Sequence, residues 1–476
     1  MSTTLSDLPP EMRAFTILKT STTLAPRLGR LTLPGRKALE TPHYLGNTSR
    51  GAVSHISQDN FQKNTSINGV YVALEDFVEK LPRQTPPLYQ LESPKDESPL
   101  RDFIALPKDT VLVVGARRVP CIPCPTANTN SALSIYTSVG FRQISAEDYA
   151  AASRKVRPDI VVGLADIPYG QPQPGLKRID KMSDRTEEWT KELVSQKNGL
   201  DKTAKAPKAS YQIFAPILPL AKELQTWYLD HLIDDMLDDI SGLAIYHAQF
   251  LADLPEQVQD LPRLSFDPPS SPGALLYQIS LGMDIFTIPF ITEATDAGIS
   301  LDFAFPPSRS EVSGGEDAGK KYTLGVDMWQ SEHALSVTPL SDNCSCYACT
   351  KHHRAYIQHL LSAKEMLGWV LIQIHNHAIM DAFFAGIRES IARGTFGEDK
   401  VAFEAFYKPE LPEKSGQGPR VRGYQFKSGQ NETKKNPAAY KVLNAPEESS
   451  SEAPTPNPDA VAGDLEKIGF AETAKS

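Results

Sequence analysis

The sequence predicts an α/β chain built on a parallel sheet, and three observations carry that reading. Short β-branched or aromatic runs alternate with helical patterns over about 300 residues. Hydrophobic residues make up 40% of the 476 positions, enough for a sizeable core. Near residue 408 the alternation stops and the chain turns polar.

In chain order, residues 110–114, 159–165, 211–218, 240–246, 264–266 and 284–289 read as buried strands. Residues 183–195 and 221–237 read as helices. Ser271-Pro272 opens another, with proline at the first helical position and Leu275, Leu276 and Ile279 on one face. A long helix is expected from about 354 to 393, its Tyr356, Leu360, Leu367, Leu371 and Ile374 keeping a three- and four-residue spacing that means core packing. Residues 196–208 and 308–320 are expected to be mobile loops, the second containing Ser313-Gly314-Gly315-Glu316. Residues 414–435 are Gly/Lys-rich and 447–458 Ser/Glu/Pro-rich, so the tail from 408 to 476 is expected to be disordered for want of apolar residues. The domains then run 14–340 for the sheet body, 341–407 for a cysteine-containing subdomain with its helices, and 408–476 for the tail. A closed barrel and a doubly wound open sheet both fit this alternation, and periodicity does not separate them.

No run of eighteen or more apolar residues is present, so no membrane span is expected. Residues 1–13 lack a secretory head and carry Asp7 and Glu11, unlike an acid-poor transit peptide, which points to the cytosol. Five cysteines do not make a disulfide framework. A formal net charge of −9 excludes a protein that grips nucleic acid over its whole surface, leaving local basic patches or a partner.

The segment Cys344-Ser345-Cys346-Tyr347-Ala348-Cys349, with His375 26 positions beyond Cys349, suggests a metal centre. Three thiolates and an imidazole suit the tetrahedral preference of Zn²⁺, and four protein ligands leave no open position, so the site is expected to be structural. By spacing alone the fourth ligand could be His375 or His377, while His352, His353 and His359 lie nearer the cysteines. A second pair, Cys121-Ile122-Pro123-Cys124, is read as structural or incidental, because Pro120, Pro123 and Pro125 oppose the helix that a redox pair opens.

The cysteine loop, with His353-Arg354-Ala355-Tyr356-Ile357, Glu365-Met366-Leu367-Gly368 and Ile374-His375-Asn376, resembles the zinc subdomain of tRNA-guanine transglycosylases. Arg27-Leu28-Gly29-Arg30-Leu31, Thr41-Pro42-His43-Tyr44, Arg185-Thr186 with Trp189, and Gly282-Met283-Asp284-Ile285-Phe286 are similar to other segments of that family. The resemblance implies a (β/α)₈ TIM barrel with an inserted zinc-binding subdomain. It selects His375 as the fourth ligand, so that Cys344, Cys346, Cys349 and His375 hold one structural zinc per subunit. The implied chemistry replaces a guanine of tRNA through an aspartate that attacks the ribose anomeric carbon.

Two departures from the family pattern imply that this chain has no catalytic residues of its own. Where the family has its nucleophile, in Asp-x-Phe-Asp, this chain has Asp284-Ile285-Phe286-Thr287, and an alcohol cannot stabilise an oxocarbenium-like centre as a carboxylate does. Asp284 is not expected to substitute, since strand side chains three apart face opposite ways. The family's Asp-Ser-Gly-Gly-Phe-Gln is absent, with Asp109-Thr110-Val111-Leu112 in that region, and its Gly-Gly-Leu segment is Ser241-Gly242-Leu243-Ala244 followed by bulky Tyr246 and His247. Asp166 resembles a base-reading carboxylate and is read as a relic or a loop-capping residue. The expected role is therefore that of the non-catalytic chain of the eukaryotic heterodimer, which pairs with a catalytic queuine tRNA-ribosyltransferase subunit, meets tRNA through the complex, and serves queuine exchange at the wobble position. The resemblance also implies a cytoplasmic location, with peripheral attachment to the mitochondrial outer membrane.

Lys351, His352, His353 and Arg354 are a candidate phosphate-contacting patch, and the zinc subdomain with its long helix is the expected dimer surface. The competing readings are an active transglycosylase with displaced catalytic residues, a homodimeric tRNA- or base-binding protein, and a zinc hydrolase, the last opposed by the closed ligand count.

Overall fold

Eight parallel strands follow one another around a closed barrel in the computed structural model, which describes residues 14–20, 25–78, 85–94, 97–169, 174–199, 208–307 and 321–419. They are β1 (His43–Ser49), β2 (Gly69–Ala73), β3 (Val111–Gly115), β4 (Ile160–Val162), β5 (Gln212–Ile217), β6 (Ile240–Ile245), β7 (Arg263–Ser265) and β8 (Ile285–Thr287). Each pairs with its sequence neighbour, and β8 closes onto β1 through Ile285↔His43, Phe286↔Tyr44 and Thr287↔Leu45. That closure decides for the barrel over the open sheet. β3 to β8 are the six strands legible in the sequence, β3 and β7 shifted by one residue and the other four shorter by one to four residues; β1 and β2 were not anticipated.

Side-chain alternation builds two layers. Leu45, Tyr71, Val111, Val113, Ile160, Val162, Phe214, Ala244, Leu264 and Ile285 fill the barrel interior. Leu112, Val114, Val161, Ile213, Leu243 and Phe286 point outward into the layer shared with the helices. A three-stranded antiparallel sheet (Phe15–Lys19, Leu28–Leu31, Leu39–Thr41) adds Phe15, Leu31 and Leu39 to the interior cluster. It covers the N-terminal end of the barrel, where the Lys37 amide donates to the Asp109 carbonyl at 2.7 Å and Arg36 Nε to Asp159 Oδ1 at 2.8 Å.

The crossovers are α1 (Gln58–Asn64), α2 (Pro99–Phe103), α3 (Ala146–Val156), α4 (Leu176–Lys197), α5 (Thr226–Asp234), α6 (Pro272–Ser280) and α7 (Pro289–Ala297), with short 3₁₀ turns between β6 and β7. Ser271 caps α6 as the sequence predicts, its hydroxyl accepting the Ala274 amide at 3.3 Å. α4 is longer than the expected 183–195 and absorbs the start of the expected loop. The expected 221–237 helix is a 3₁₀ turn, Lys222–Leu224, followed by α5. Residues 200–207 of that loop, the loop 308–320, residues 1–13 and residues 420–476 lie outside the described residues.

The expected long helix is two helices, α9 (Arg354–Ser362) and α10 (Met366–Arg393), preceded by α8 (Tyr347–Lys351) and followed by α11 (Phe396–Phe406). The chain reverses at Lys364, whose φ of 57° is left-handed, and Gly368 lets α10 approach Leu360 and Leu361. The apolar spacing carries through the bend because both sides of it bury into one cluster with Ile357, Leu361, Trp369 and Leu371, but Leu367, expected in the core, is exposed and Tyr356 is only partly buried. Farther along α10, Met380, Phe383, Phe384 and Ile387 join the barrel layer. α10 is long and apolar enough to span a bilayer, but most of its apolar positions are occupied by these contacts. The tail also departs from expectation at its start: the Lys408 amide donates to the Tyr322 carbonyl at 2.8 Å, Leu411 packs on the core, and Gly416 lies against Trp329.

Candidate metal centre and barrel mouth

Cys344, Cys346 and Cys349 lie at the start of the helical subdomain, and α10 brings His375 to them. One ligand atom from each of the four residues lies within 4.8 Å of all the others, so the cluster could hold a metal ion. Cys346 Sγ is 3.7 Å and Cys349 Sγ 3.3 Å from His375 Nδ1. Those spacings bracket the S···N edge of about 3.6 Å that tetrahedral zinc with ordinary bond lengths requires. His375 Nε2 lies 2.8 Å from the Leu301 carbonyl, which can only accept, so Nε2 carries the proton and Nδ1 offers its lone pair to the thiols. Burial opposes protonation of His375, yet the Cys344 and Cys349 thiols facing Nδ1 prevail and raise its pKa to about 9. A proton at Nδ1 and a metal compete for the same lone pair, so metal binding would release that proton. The donor set and spacing fit zinc.

The same helix shows why His377 is not in this cluster. Its Nδ1 is 3.0 Å from the Tyr44 hydroxyl and its Nε2 3.1 Å from Gln373 Nε2. Tyr44 donates to Asp381 Oδ1 at 2.9 Å, so His377 donates to Tyr44 and accepts from Gln373. Both nitrogens are occupied in a buried chain joining α10 to β1. Asn376 braces the site from behind, accepting the Leu301 amide at 2.8 Å and donating to the Ile299 carbonyl at 3.0 Å.

Three of the four residues of the candidate phosphate patch have partners within the subdomain. Arg354 donates to the Pro339 and Leu340 carbonyls at 2.9 and 2.8 Å. His353 Nδ1 accepts the Tyr356 amide at 3.2 Å as the cap of α9. His352 stacks on Tyr356, and burial lowers its pKa. Of the four, only Lys351 is exposed.

At the barrel, Asp284 and Thr287 lie at opposite ends of β8. Asp284, fully buried, precedes the strand, where Arg27 Nε donates to it at 2.8 Å and the Arg263 amide at 2.8 Å. Arg27 NH2 makes a further short contact with it. Thr287 ends the strand, its hydroxyl 3.3 Å from the Ser265 carbonyl. Asp166 lies beyond β4, wholly buried, contacting Arg178 at 2.5 and 2.6 Å, Arg185 NH1 at 3.0 Å and Asn128 Nδ2 at 2.7 Å. Beside it the side chains of Tyr246 and Phe266 stack with centroids 5.1 Å apart. Sequence reasoning singled out Asp166 and Tyr246 but missed Arg178, Arg117 and Tyr169, whose roles depend on contacts between separate loops. Cys121 borders the mouth with its thiol pushed up to about 12, chiefly by burial, and is thus a poor nucleophile.

A closed eight-stranded barrel with a three-cysteine, one-histidine subdomain is the architecture implied by the transglycosylase resemblance. The family model described as "Queuine tRNA-ribosyltransferase" matches residues 22–409, and the chain belongs to that family. It is 35% identical over 395 residues to the queuine tRNA-ribosyltransferase accessory subunit 2 of Schizosaccharomyces pombe, covering 82% of this chain and 83% of that one. The proteins of the same name from Xenopus tropicalis and Drosophila melanogaster are 28% and 27% identical, over 77% and 78% of this chain and 94% and 87% of theirs.

Proposed function

We propose that this chain is a non-catalytic accessory subunit of a queuine tRNA-ribosyltransferase, serving the exchange of guanine for queuine at the wobble position of tRNA beside a catalytic chain. One observation carries the reading. Position 287, at the C-terminal end of β8 where the family's nucleophile falls by resemblance, is a buried threonine. By the family resemblance, displacing the base uses a carboxylate at the ribose anomeric carbon, and a hydroxyl does not carry that charge. The two carboxylates that the sequence singled out are both committed: Asp284 to Arg27 at the far end of the barrel, and Asp166 to Arg178 and Arg185. What remains is a barrel suited to assembly rather than turnover.

On this reading Cys344, Cys346, Cys349 and His375 bind one zinc ion, closed to substrate. When bound, the ion would cross-link the cysteine loop to α10, while the residues of the chain set its geometry through His375 and Leu301. The partner surface is assigned to the subdomain around that centre, where Leu335, Val337, Tyr347, Met366 and Leu367 are exposed apolar side chains. The cytoplasmic location, with attachment to the outer mitochondrial surface, accompanies the same reading.

The test is co-expression with a catalytic queuine tRNA-ribosyltransferase chain, followed by mass determination of the purified species. A one-to-one complex that exchanges guanine in tRNA is expected. A homodimer that excludes the catalytic chain would overturn the assignment.

A further inference from the structure

The C-terminal mouth of the barrel encloses a cavity of about 160 Å³ that includes Tyr71, Leu133, Val162, Tyr169, Tyr246 and Phe266 in its wall. Tyr246 and Phe266 lie nearly parallel, with 25° between their planes, and present an aromatic surface. Arg117 and Arg118 also line the cavity, and no lining residue is acidic.

The two arginines differ in how their charge is met. Arg118 is paired with Asp76 at 2.5 Å. Arg117 donates only to neutral acceptors: the Ser134 carbonyl at 2.9 and 2.6 Å, the Ile167 carbonyl at 3.2 Å and Asn128 Oδ1 at 3.0 Å. Its guanidinium lies 5.3 Å from the Tyr169 ring centroid. Asn128 links it to Asp166, but that carboxylate is already shared by Arg178 and Arg185. Asp166, Arg178 and Arg185 do not line the cavity, so the positive charge at its wall is that of Arg117 and of the paired Arg118. Coulombic attraction for an anion is strong where water is partly excluded, and a cation is repelled. The N–H edge of a guanine is met best by a carboxylate or carboxamide side chain, and none lines the cavity.

We propose that this cavity binds a small planar aromatic anion of one or two rings, with its rings against Tyr246 and Phe266 and its negative group toward Arg117. The inference goes beyond the subunit reading and does not depend on it.

Calorimetric titration of the full chain with naphthoate, naphthylmethylammonium and aminopurine at neutral pH tests it. Naphthoate is expected to bind with a Kd of about 1 mM or tighter, and the cation at least about tenfold more weakly. Tyr246→Ala should weaken naphthoate by about tenfold through loss of the aromatic wall. Arg117→Gln should abolish the preference for anion over cation, if its melting curve matches that of the parent. Tyr246 is half-exposed on the rim, so its variant keeps the test decisive if Arg117→Gln does not fold. Failure of naphthoate to bind, equal affinity for the two ions, tighter binding of aminopurine, or unchanged affinity in Tyr246→Ala would each overturn the proposal.

Discussion

Arg178 contacts both oxygens of the Asp166 carboxylate, at 2.5 and 2.6 Å, with Asp166 wholly buried. A carboxylate held this way supports the loop after β4 and is not available to read a base. Replacing Asp166 by Ala would leave Arg178 and Arg185 facing each other without a counter-charge. The expected cost is about 3–5 kcal/mol, the usual consequence of breaking a buried pair from one side. Urea denaturation of the purified variant checks it, and a change below about 1 kcal/mol would show that the contact is incidental.

The metal centre makes a stoichiometric prediction. Elemental analysis of the purified chain should find about one zinc per polypeptide, and His375→Ala or Cys349→Ser should lose it. Loss of the ion releases α10 from the cysteine loop, so the melting temperature should fall by at least about 5 °C. His377→Gln interrupts the Tyr44 chain instead and should keep the zinc.

Acid sensitivity has an identifiable source in His43. Burial, and secondarily Arg388, lowers its pKa from the ordinary 6.5 to about 3, and its Nδ1 has no hydrogen-bond partner. The unfolded chain binds this proton first, so the contribution of His43 to stability is complete above pH 6.5 and is lost as pH falls toward 3. His43→Phe should remove that slope, retaining about 2–3 kcal/mol more than the parent near pH 4 relative to neutral pH. Parallel denaturation curves at the two pH values, with equal losses in both proteins, would contradict this.

The parts of the fold that the sequence revealed were those with local causes. The Ser271-Pro272 start is written in a cap and a proline, and the cysteine spacing is a single loop around one point. What escaped has long-range causes. The bend at Lys364 carries neither glycine nor proline at its turning residue, and the apolar spacing crosses it unchanged. β1 contains Gly46 and Asn47 and shows its strand character only when β8 closes against it. The choice of His375 over His377 rests on the Leu301 carbonyl and the Tyr44 hydroxyl, 74 and 333 positions away in sequence. Arg178 could not be matched to Asp166 before the loops after β4 were placed.

The central claim concerns the end of β8, where a threonine replaces the oxygen charge that base displacement requires. It is tested most directly by incubating the isolated, zinc-loaded chain with tRNA and labelled guanine, scoring both incorporation and any covalent protein–RNA band on a denaturing gel. We expect neither product from this chain alone, and incorporation once the catalytic partner is added. Label entering tRNA, or an RNA adduct forming, with no partner present would contradict the account.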